Sequence, residues 1–520
     1  MKIKRILAVL LSLATALSLA ACASGASGSS ATSSSSSKSG AASSTQKKVI
    51  TVMRPLFEAQ PPQLDSPAEL AIEQKLNVDF QCRWVPTGTF TEVFNTTLAT
   101  KDIPKIIVAP SSLTVNPGFM KYCNADVFWE VGDKIKSHKS LFENEVMTEN
   151  SLIATSINGK NYIVPSIAAA ARAAVIYRKD WADKVGAPVP NTIENFYKMA
   201  QLFTENDPDG NGKKDTYGYS YIDDADKELA YAGFTSIAVA NGAPNNWGKD
   251  ANGKLYPYFE SDGYMKTLDF FRDMYKKGYM NEDFYLVKGN DKYSAFIAGK
   301  AGMMMTSGQN AAVPGGKYDP LIQANPNAKI AYSLCFIQPN GKEIINSVVS
   351  AGSLAGSIFP KASCTEEEVD FIIGLYAKMR EDPEMDKILN FGVKDKHYTV
   401  NGNKIDITAE QITARKNDGS QDAFVSWIPS PIVQKDYGQT LTPMQAIQKE
   451  IVKKEQFALM DASAGKMDGD MLAKLTSIST IISDARVKYI LGKIDAAGFK
   501  AAVKAWKDAG GQKIIDDLNK

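Results

Sequence analysis

The sequence predicts an α/β protein of two lobes, carried behind a secretion signal and a flexible tether. Three observations predict it. From Val49 onward, short apolar runs alternate with helical patterns, the order that builds mostly parallel sheets. The stretch from Lys47 to Lys520 is too long for one small domain and suits two lobes. The segment before it has neither pattern.

Val49-Ile50-Thr51-Val52-Met53 reads as the first strand, followed by a turn-rich segment with Pro55, Pro61, Pro62 and Pro67. A helix from Pro67 to Leu76, a strand from Val78 to Val85, a helix from Phe90 to Thr100 and a buried strand from Lys105 to Val108 complete the first α/β stretch. A second starts near Tyr162, with a strand over Ala173–Tyr177 and a short helix over Lys179–Val185. Asn191 then reads as the cap of a helix whose inner face is Ile193, Phe196, Met199, Ala200 and Phe203, with Glu194 closing a capping box. Further helices are expected at Asp262–Lys277, Lys292–Ala298, Glu366–Arg380 and Pro383–Phe391. Asp468–Leu518 reads as several amphipathic helices with turn signals at Gly492, Gly498 and Gly510-Gly511.

The chain opens with Lys2, Lys4 and Arg5, then an apolar run from Ile6 to Leu19, then Leu19-Ala20-Ala21-Cys22. This order is that of a bacterial secretion signal, and the run is short for the about 20 residues a membrane span needs. Small residues before a cysteine resemble a lipobox, so residues 1–21 are expected to be removed and Cys22 lipidated. Half of residues 23–46 are serine. Such a stretch buries no core and reads, with Cys22, as a tether over 22–46 with a reach of about 25–30 Å. The expected location is the extracellular face of the cell membrane, held there by the lipid only.

Hydrophobic content of 44% and charged content of 22% are those of a globular protein. The formal charge is +1, and removing the three leader cations leaves about −2, which gives no electrostatic case for nucleic acid. Cys82, Cys123, Cys335 and Cys364 lack CxxC spacing, so buried free thiols are expected rather than a disulfide scaffold. With only His138 and His397, a zinc site or a histidine-based triad has little to draw on. There is no G-x-S-x-G elbow, and Gly242–Lys249 has the wrong spacing for a phosphate loop and lacks its Ser/Thr.

Asp207, Asp209, Asn211 and Asp215 stand at positions 1, 3, 5 and 9 of a calcium-type loop over 207–218, with Gly212 at the turn and the Lys213 carbonyl at position 7. Position 12 is Gly218, where an EF-hand has a bidentate glutamate. The loop is therefore EF-like, and a structural Ca²⁺ is expected, its shell finished by another group or water.

Ala174-Val-Ile-Tyr-Arg-Lys-Asp-Trp181 through the acidic loop to Thr216-Tyr217-Gly218, Ala295–Met303, Asn390–Thr399 and Ala505–Gly511 resemble the extracellular solute-binding lipoproteins of ABC importers, family 1, in the carbohydrate-uptake branch of Gram-positive bacteria. The resemblance covers nearly the whole mature chain. It implies a two-lobe periplasmic-binding-protein-like fold with a three-segment hinge and an interlobe ligand cleft. The hinge segments are placed near Val164-Pro165, Val348–Gly352 and Val425–Pro429. This gives one lobe from 47–164 and 353–424 and the other from 165–352 and 425–520. It also implies a monomer that binds an oligosaccharide and docks on the membrane subunits of an ABC permease. Thr216 departs from the acidic residue some relatives carry after the position of Asp215.

Sugars are held by aromatic faces and by polar groups on their hydroxyls. Trp181 and Trp506 fall in amphipathic helices and read as core, whereas Trp84 and Trp129 are ambiguous. Trp247 sits in a loop of turn residues and amides, Trp427 at the third crossing, and Tyr177 at a strand end where sugar-binding relatives place a stacking aromatic. Strand ends nominate Arg54, Ser111, Ser112, Ser307, Gln309 and Asn310. Two other classes remain open on residues alone. A surface glycoside hydrolase would need two carboxylates facing across a cleft. A receptor for peptides, or one presenting its ligand to a sensor kinase, would favour charged end-groups over aromatic platforms.

Overall fold

Successive side chains of a strand point to opposite faces, and the central strands of the two main sheets are buried on both. The computed structural model describes residues 47–520 except 57–60, 62, 64, 115, 142–151, 153–154, 167–170, 224–232, 288–292, 315, 347–354, 425–426 and 430–434. Strands β1 (Lys48–Leu56), β2 (Val78–Pro86), β3 (Ile106–Ala109), β4 (Val164–Pro165), β5 (Ala173–Arg178), β6 (Tyr217–Ser220), β7 (Ala301–Ser307), β8 (Ile330–Ser333) and β9 (Gly356–Ile358) make two sheets. The first runs β2-β1-β3-β9-β4 and the second β8-β5-β7-β6.

In the first sheet β1 pairs in parallel with β2 and β3, while β9 is antiparallel to β3 and β4. Ile50, Val52, Ile106 and Val108 fill the core on one face, and Met53, Ile107 and Ala109 that on the other. In the second sheet β5 is antiparallel to β7 and β8, and β6 is parallel to β7. Val175, Tyr177, Met303 and Met305 face one core; Ala174, Ile176 and Met304 face the other. Burial on both faces is why these strands read as continuous apolar runs rather than alternating ones.

Helices cover the faces. They include α1 (Pro67–Leu76), α2 (Phe90–Leu98), α3 (Ile193–Glu205), α4 (Asp262–Lys276), α5 (Glu366–Glu381), α6 (Pro443–Lys453), α7 (Gly469–Ile490) and α8 (Ala496–Trp506). The cap of α3 is Thr192, not Asn191. Its hydroxyl accepts from the Asn195 N–H at 3.0 Å, which puts Asn195, not Glu194, three residues after the cap, so the expected capping box does not form. The helix expected over Lys292–Ala298 is confined to Ser294–Ile297 among the described residues. After α8 the chain passes through a kink with Gly510 at φ 117°, and a Cβ on Gly511 would lie 2.2 Å from the Trp506 ring. The two glycines therefore let the last helix fold back over that indole.

Chain and sheet change together. The chain leaves the first sheet after β4 for β5–β8 and returns to it at β9. The third expected segment is Val425–Pro429; residues 425–426 lie outside the described residues, and the rest does not leave the first sheet. Trp427 and Ile428 are buried in the first sheet's core. Arg380 Nε donates to the Pro429 carbonyl at 2.7 Å, Lys435 Nζ to the Arg380 carbonyl at 2.6 Å, and the Thr440 N–H to the Ile405 carbonyl at 2.8 Å. Ile447 and Ile451 of α6 then enter the second sheet's core. Trp427–Pro429 thus stay with the first sheet, and Lys435 and Thr440 still bond to residues of that half of the chain, because two large apolar side chains gain more from its core than from a strand between lobes. The expected segment Val348–Gly352 lies outside the described residues.

Helix α7 touches both cores. Leu472 packs against the first sheet's cluster, and Ile478, Ile482 and Tyr489 lie in the second's. Arg486 anchors it through two bonds to Asp223, at 2.6 and 3.1 Å, and the Tyr221 hydroxyl donates to the same carboxylate at 2.7 Å. Burial works against the guanidinium charge, and Asp223 outweighs it, holding the Arg486 pKa above its ordinary value. Removing one partner strands the other charge. Asp223→Ala is expected to lower the unfolding free energy by about 3–5 kcal/mol in a urea titration; a change under about 1 kcal/mol would show the pair to be dispensable. Among the described residues no helix is long and apolar enough to cross a membrane.

Candidate ligand-binding edges

Loops beyond the carboxyl ends of strands form the crevice of an open α/β sheet. In the first sheet these ends are Arg54 on β1, Trp84 on β2 and Ser111-Ser112 after β3. In the second they are Ser220–Asp223 after β6 and Ser307–Asn310 after β7.

Arg54 is only 2% exposed. Its Nη1 donates to the Ala423 carbonyl at 2.6 Å and its Nη2 to the Asp422 carbonyl at 2.8 Å. The guanidinium lies 4.1 Å from the Trp84 ring and 5.3 Å from the Trp427 ring, and burial lowers its pKa. It binds backbone rather than reaching toward solvent. Trp427 is wholly buried, stacked on Phe424 at 5.8 Å and meeting Phe80 edge-on at 5.0 Å, with Nε1–H donating to the Ala423 carbonyl at 3.1 Å. Tyr177 and Trp247 are also buried, both in the second sheet's larger core. Trp247 lies on a short strand, Trp247–Lys249, and accepts from the Ala462 N–H through its carbonyl. These four side chains, expected at the ligand, are interior: the three aromatics because large apolar surface is worth more inside than at a crevice wall, and Arg54 because two backbone carbonyls satisfy its guanidinium there.

The polar candidates stand differently. Ser111 and Ser112 are exposed at the start of a short helix, Ser111–Thr114. Ser307, Gln309 and Asn310 come together beyond β7. Asn310 Nδ2 donates to the Thr306 hydroxyl at 2.9 Å and the Tyr293 hydroxyl at 3.1 Å, and Gln309 pairs with Gln448 of α6. The Ser307 hydroxyl is out of solvent and has no partner among the described residues. Buried hydroxyls of this kind are rare, which marks the end of β7 as a place where a further polar group fits. Trp84, ambiguous in the sequence, is partly exposed near the carboxyl end of its strand, in register with Arg54 on β1.

The acidic loop is exposed and held by its own backbone. Asp207 accepts from the N–H groups of Gly210, Asn211 and Gly212 at 3.1 Å each. Asn211 Nδ2 donates to Asp209 at 2.8 Å and to Asp215 at 3.1 Å. Gly212 has φ 76°, the left-handed turn a side chain resists. Desolvation first, then the negative charge of Asp207 and Asp215, raises the Asp209 pKa. No three His, Cys, Asp or Glu side chains among the described residues already form a metal cage. A single amide donor nevertheless stands between two carboxylates, in the place a cation would take, and turning that amide would present oxygen instead. The donor set fits Ca²⁺. Gly218 has no side-chain oxygen, and none fits there, since a Cβ would meet Ala200 Cα at 2.3 Å. Nor can Thr216, whose buried hydroxyl donates to the Phe203 carbonyl at 2.9 Å.

The four described cysteines are free, and burial pushes the Cys82, Cys335 and Cys364 thiols up to about 12. His397 Nδ1 accepts the Val393 N–H at 2.9 Å, leaving Nε2 to donate to Asp418 at 2.8 Å, so both ring nitrogens serve the fold.

The family described as bacterial extracellular solute-binding protein matches residues 69–362. Lipoprotein LipO of Bacillus subtilis (strain 168) is 30% identical over 92% of this chain and 93% of its own. The polygalacturonan/rhamnogalacturonan-binding protein YtcQ of the same organism is 28% identical over 92% of this chain and 91% of its own. Among solved structures, a solute-binding protein of Bifidobacterium longum infantis described as HMO-binding superposes with TM-score 0.66 at 16% identity, over 91% of this chain and 98% of that one. The alginate-binding protein AlgQ2, solved without calcium ion, gives 0.63 at 14%. An EF-hand mutant of FusA from S. pneumoniae gives 0.61 at 17%. Both cover 91% of this chain and 98% of their own. These structures share the bilobed α/β fold. Because Trp427 is core here, Trp427→Ala is expected to cost about 3–5 kcal/mol of stability in a denaturant melt; a cost under about 1 kcal/mol would return Trp427 to the ligand.

Proposed function

The chain belongs to the bacterial extracellular solute-binding protein family, and from that premise we propose that it captures an oligosaccharide between its two lobes and delivers it to an ABC permease. The observation that carries the carbohydrate reading is similarity over 92% of the chain to a protein named for polygalacturonan and rhamnogalacturonan. The polar groups beyond β7 support it, since hydroxyl-rich ligands need donors and acceptors that are already aimed. Ser307, Gln309, Asn310, Ser111 and Ser112 are the contacts proposed from the original set. Binding works by hinge closure, in which the ligand adds contacts only the closed form makes. Lobes of 47–164 with about 353–441, and of 165–352 with about 442–520, agree with the packing of Trp427 and Ile428 on the first sheet. A monomer on the outer face of the cell membrane, tethered through lipid on Cys22, completes the proposal.

Isothermal titration of the body from Lys47 with pectin-derived, fructan and host-glycan oligosaccharides, and with peptides, tests it. Micromolar binding of one sugar class is expected. Binding of peptides alone would overturn the carbohydrate reading, and turnover of a sugar would indicate a hydrolase.

We infer also that Asp207, Asp209, Asn211, the Lys213 carbonyl and Asp215 hold a structural Ca²⁺, with water in place of the missing twelfth ligand. The ion would neutralise carboxylates that now crowd one another. Chelation is expected to lower the melting temperature by a few degrees, restored by added Ca²⁺, as binding to the folded state alone requires. An unchanged melt, with no metal in the purified protein by elemental analysis, would remove calcium from the account.

A further inference from the structure

We propose that Trp84 is the stacking platform for a sugar ring on the first sheet's edge, and that its indole N–H donates to an oxygen of that sugar. The inference rests on the carbohydrate reading above. Four observations converge on it. Trp84 lies near the carboxyl end of β2, opposite Arg54 on β1, where an open sheet presents its crevice. One face of the indole is backed by the Arg54 guanidinium, 4.1 Å from its ring. That guanidinium is in turn held by the carbonyls of Ala423 and Asp422. The ring is therefore fixed from behind before any ligand arrives, as a binding group must be.

The ring is partly exposed, whereas Trp427 on the other side of Arg54 is sealed in the core. Finally, Nε1 of Trp84 is out of solvent and has no hydrogen-bond partner among the described residues. Other indoles of this protein show what a satisfied one looks like. Trp129 Nε1 donates to the Cys364 carbonyl at 2.7 Å and Trp427 Nε1 to the Ala423 carbonyl at 3.1 Å. An indole N–H finds a partner when buried, and a group left without one calls for a partner outside the protein.

The chemistry fits a sugar. A pyranose or furanose ring offers an apolar C–H face to lie on the indole and hydroxyl oxygens at its rim to accept the N–H. The cation behind the ring draws electron density from it and makes that N–H a stronger donor. Arg54 is then a positioning residue that reaches the ligand only through Trp84.

The test uses the body from Lys47, labelled with fluorotryptophan, and short oligogalacturonides together with the neutral sugars of the panel above. The fluorine resonance of Trp84 is assigned by its loss in Trp84→Phe. Saturation with the sugar that binds is expected to shift that resonance. Trp84→Ala should bind about tenfold more weakly or worse, while Trp84→Phe, which keeps a stacking face without the N–H, should recover part of the loss. If a sugar binds the unaltered protein by calorimetry, the Trp84 resonance does not move and Trp84→Phe binds equally well, the platform is wrong and the carbohydrate reading stands. If none of the sugars binds the unaltered protein, the carbohydrate reading fails and the platform goes with it. Should Trp84→Ala fail to fold, the resonance shift and Trp84→Phe still decide the matter.

Discussion

The sealed cluster around Trp427 sets the layout of the first half of this protein. Its indole sits among Phe80, Tyr376 and Phe424, and the neighbouring Ala423 carbonyl accepts from both Trp427 and Arg54. Burying one large aromatic therefore does three things together. It ties residues 427–429 to the first sheet, fixes a buried guanidinium that would otherwise be costly to hold away from water, and sets what lies behind Trp84. A buried cation hydrogen-bonded to carbonyls is tolerable; the same cation without them is not.

The second sheet is organised by a different constraint. There β5 runs through the middle, antiparallel to both neighbours, and the cores on its two faces differ in content. One is aromatic-rich and is joined by α7 and α8; the other is smaller and takes in α6. The ion pair of Arg486 with Asp223 joins α7 to the end of β6, so the strand ends that line the crevice are braced from behind by the C-terminal helices. The same helix reaches the first sheet's core through Leu472. Any motion between the lobes would have to be accommodated by an element with a foot in each core. A packed side chain permits small shear more readily than wide separation.

The acidic loop shows how far a local pattern can be carried. Alternate oxygen-bearing residues and a glycine in the left-handed region follow from spacing, and the loop folds on itself as that spacing requires. What the pattern cannot hold is the environment of its last positions. Gly218 already belongs to strand β6, pressed on α3, and Thr216 just before it is bonded to α3, so both side-chain positions are taken by packing.

By itself, the sequence determined the alternation of strands and helices, the bounds of several elements and the family. Each of these is written in periodicity, small-residue motifs or composition over neighbouring residues. Pro67–Leu76 and Pro383–Phe391 end where their apolar spacing and breakers end them. Trp181 and Trp506 are core, as their helical faces imply. The tertiary structure alone decided which aromatics are interior. Tyr177, Trp247 and Trp427 have the same residue types and flanks that an exposed platform would have. Their burial depends on segments far away in the chain: Met303 beside Tyr177, Ala462 on Trp247, Phe80 against Trp427. Arg54 likewise turns inward only because residues more than three hundred positions later present two carbonyls to it. Hydrophobic burial is a property of the assembled surface and carries no period along the chain.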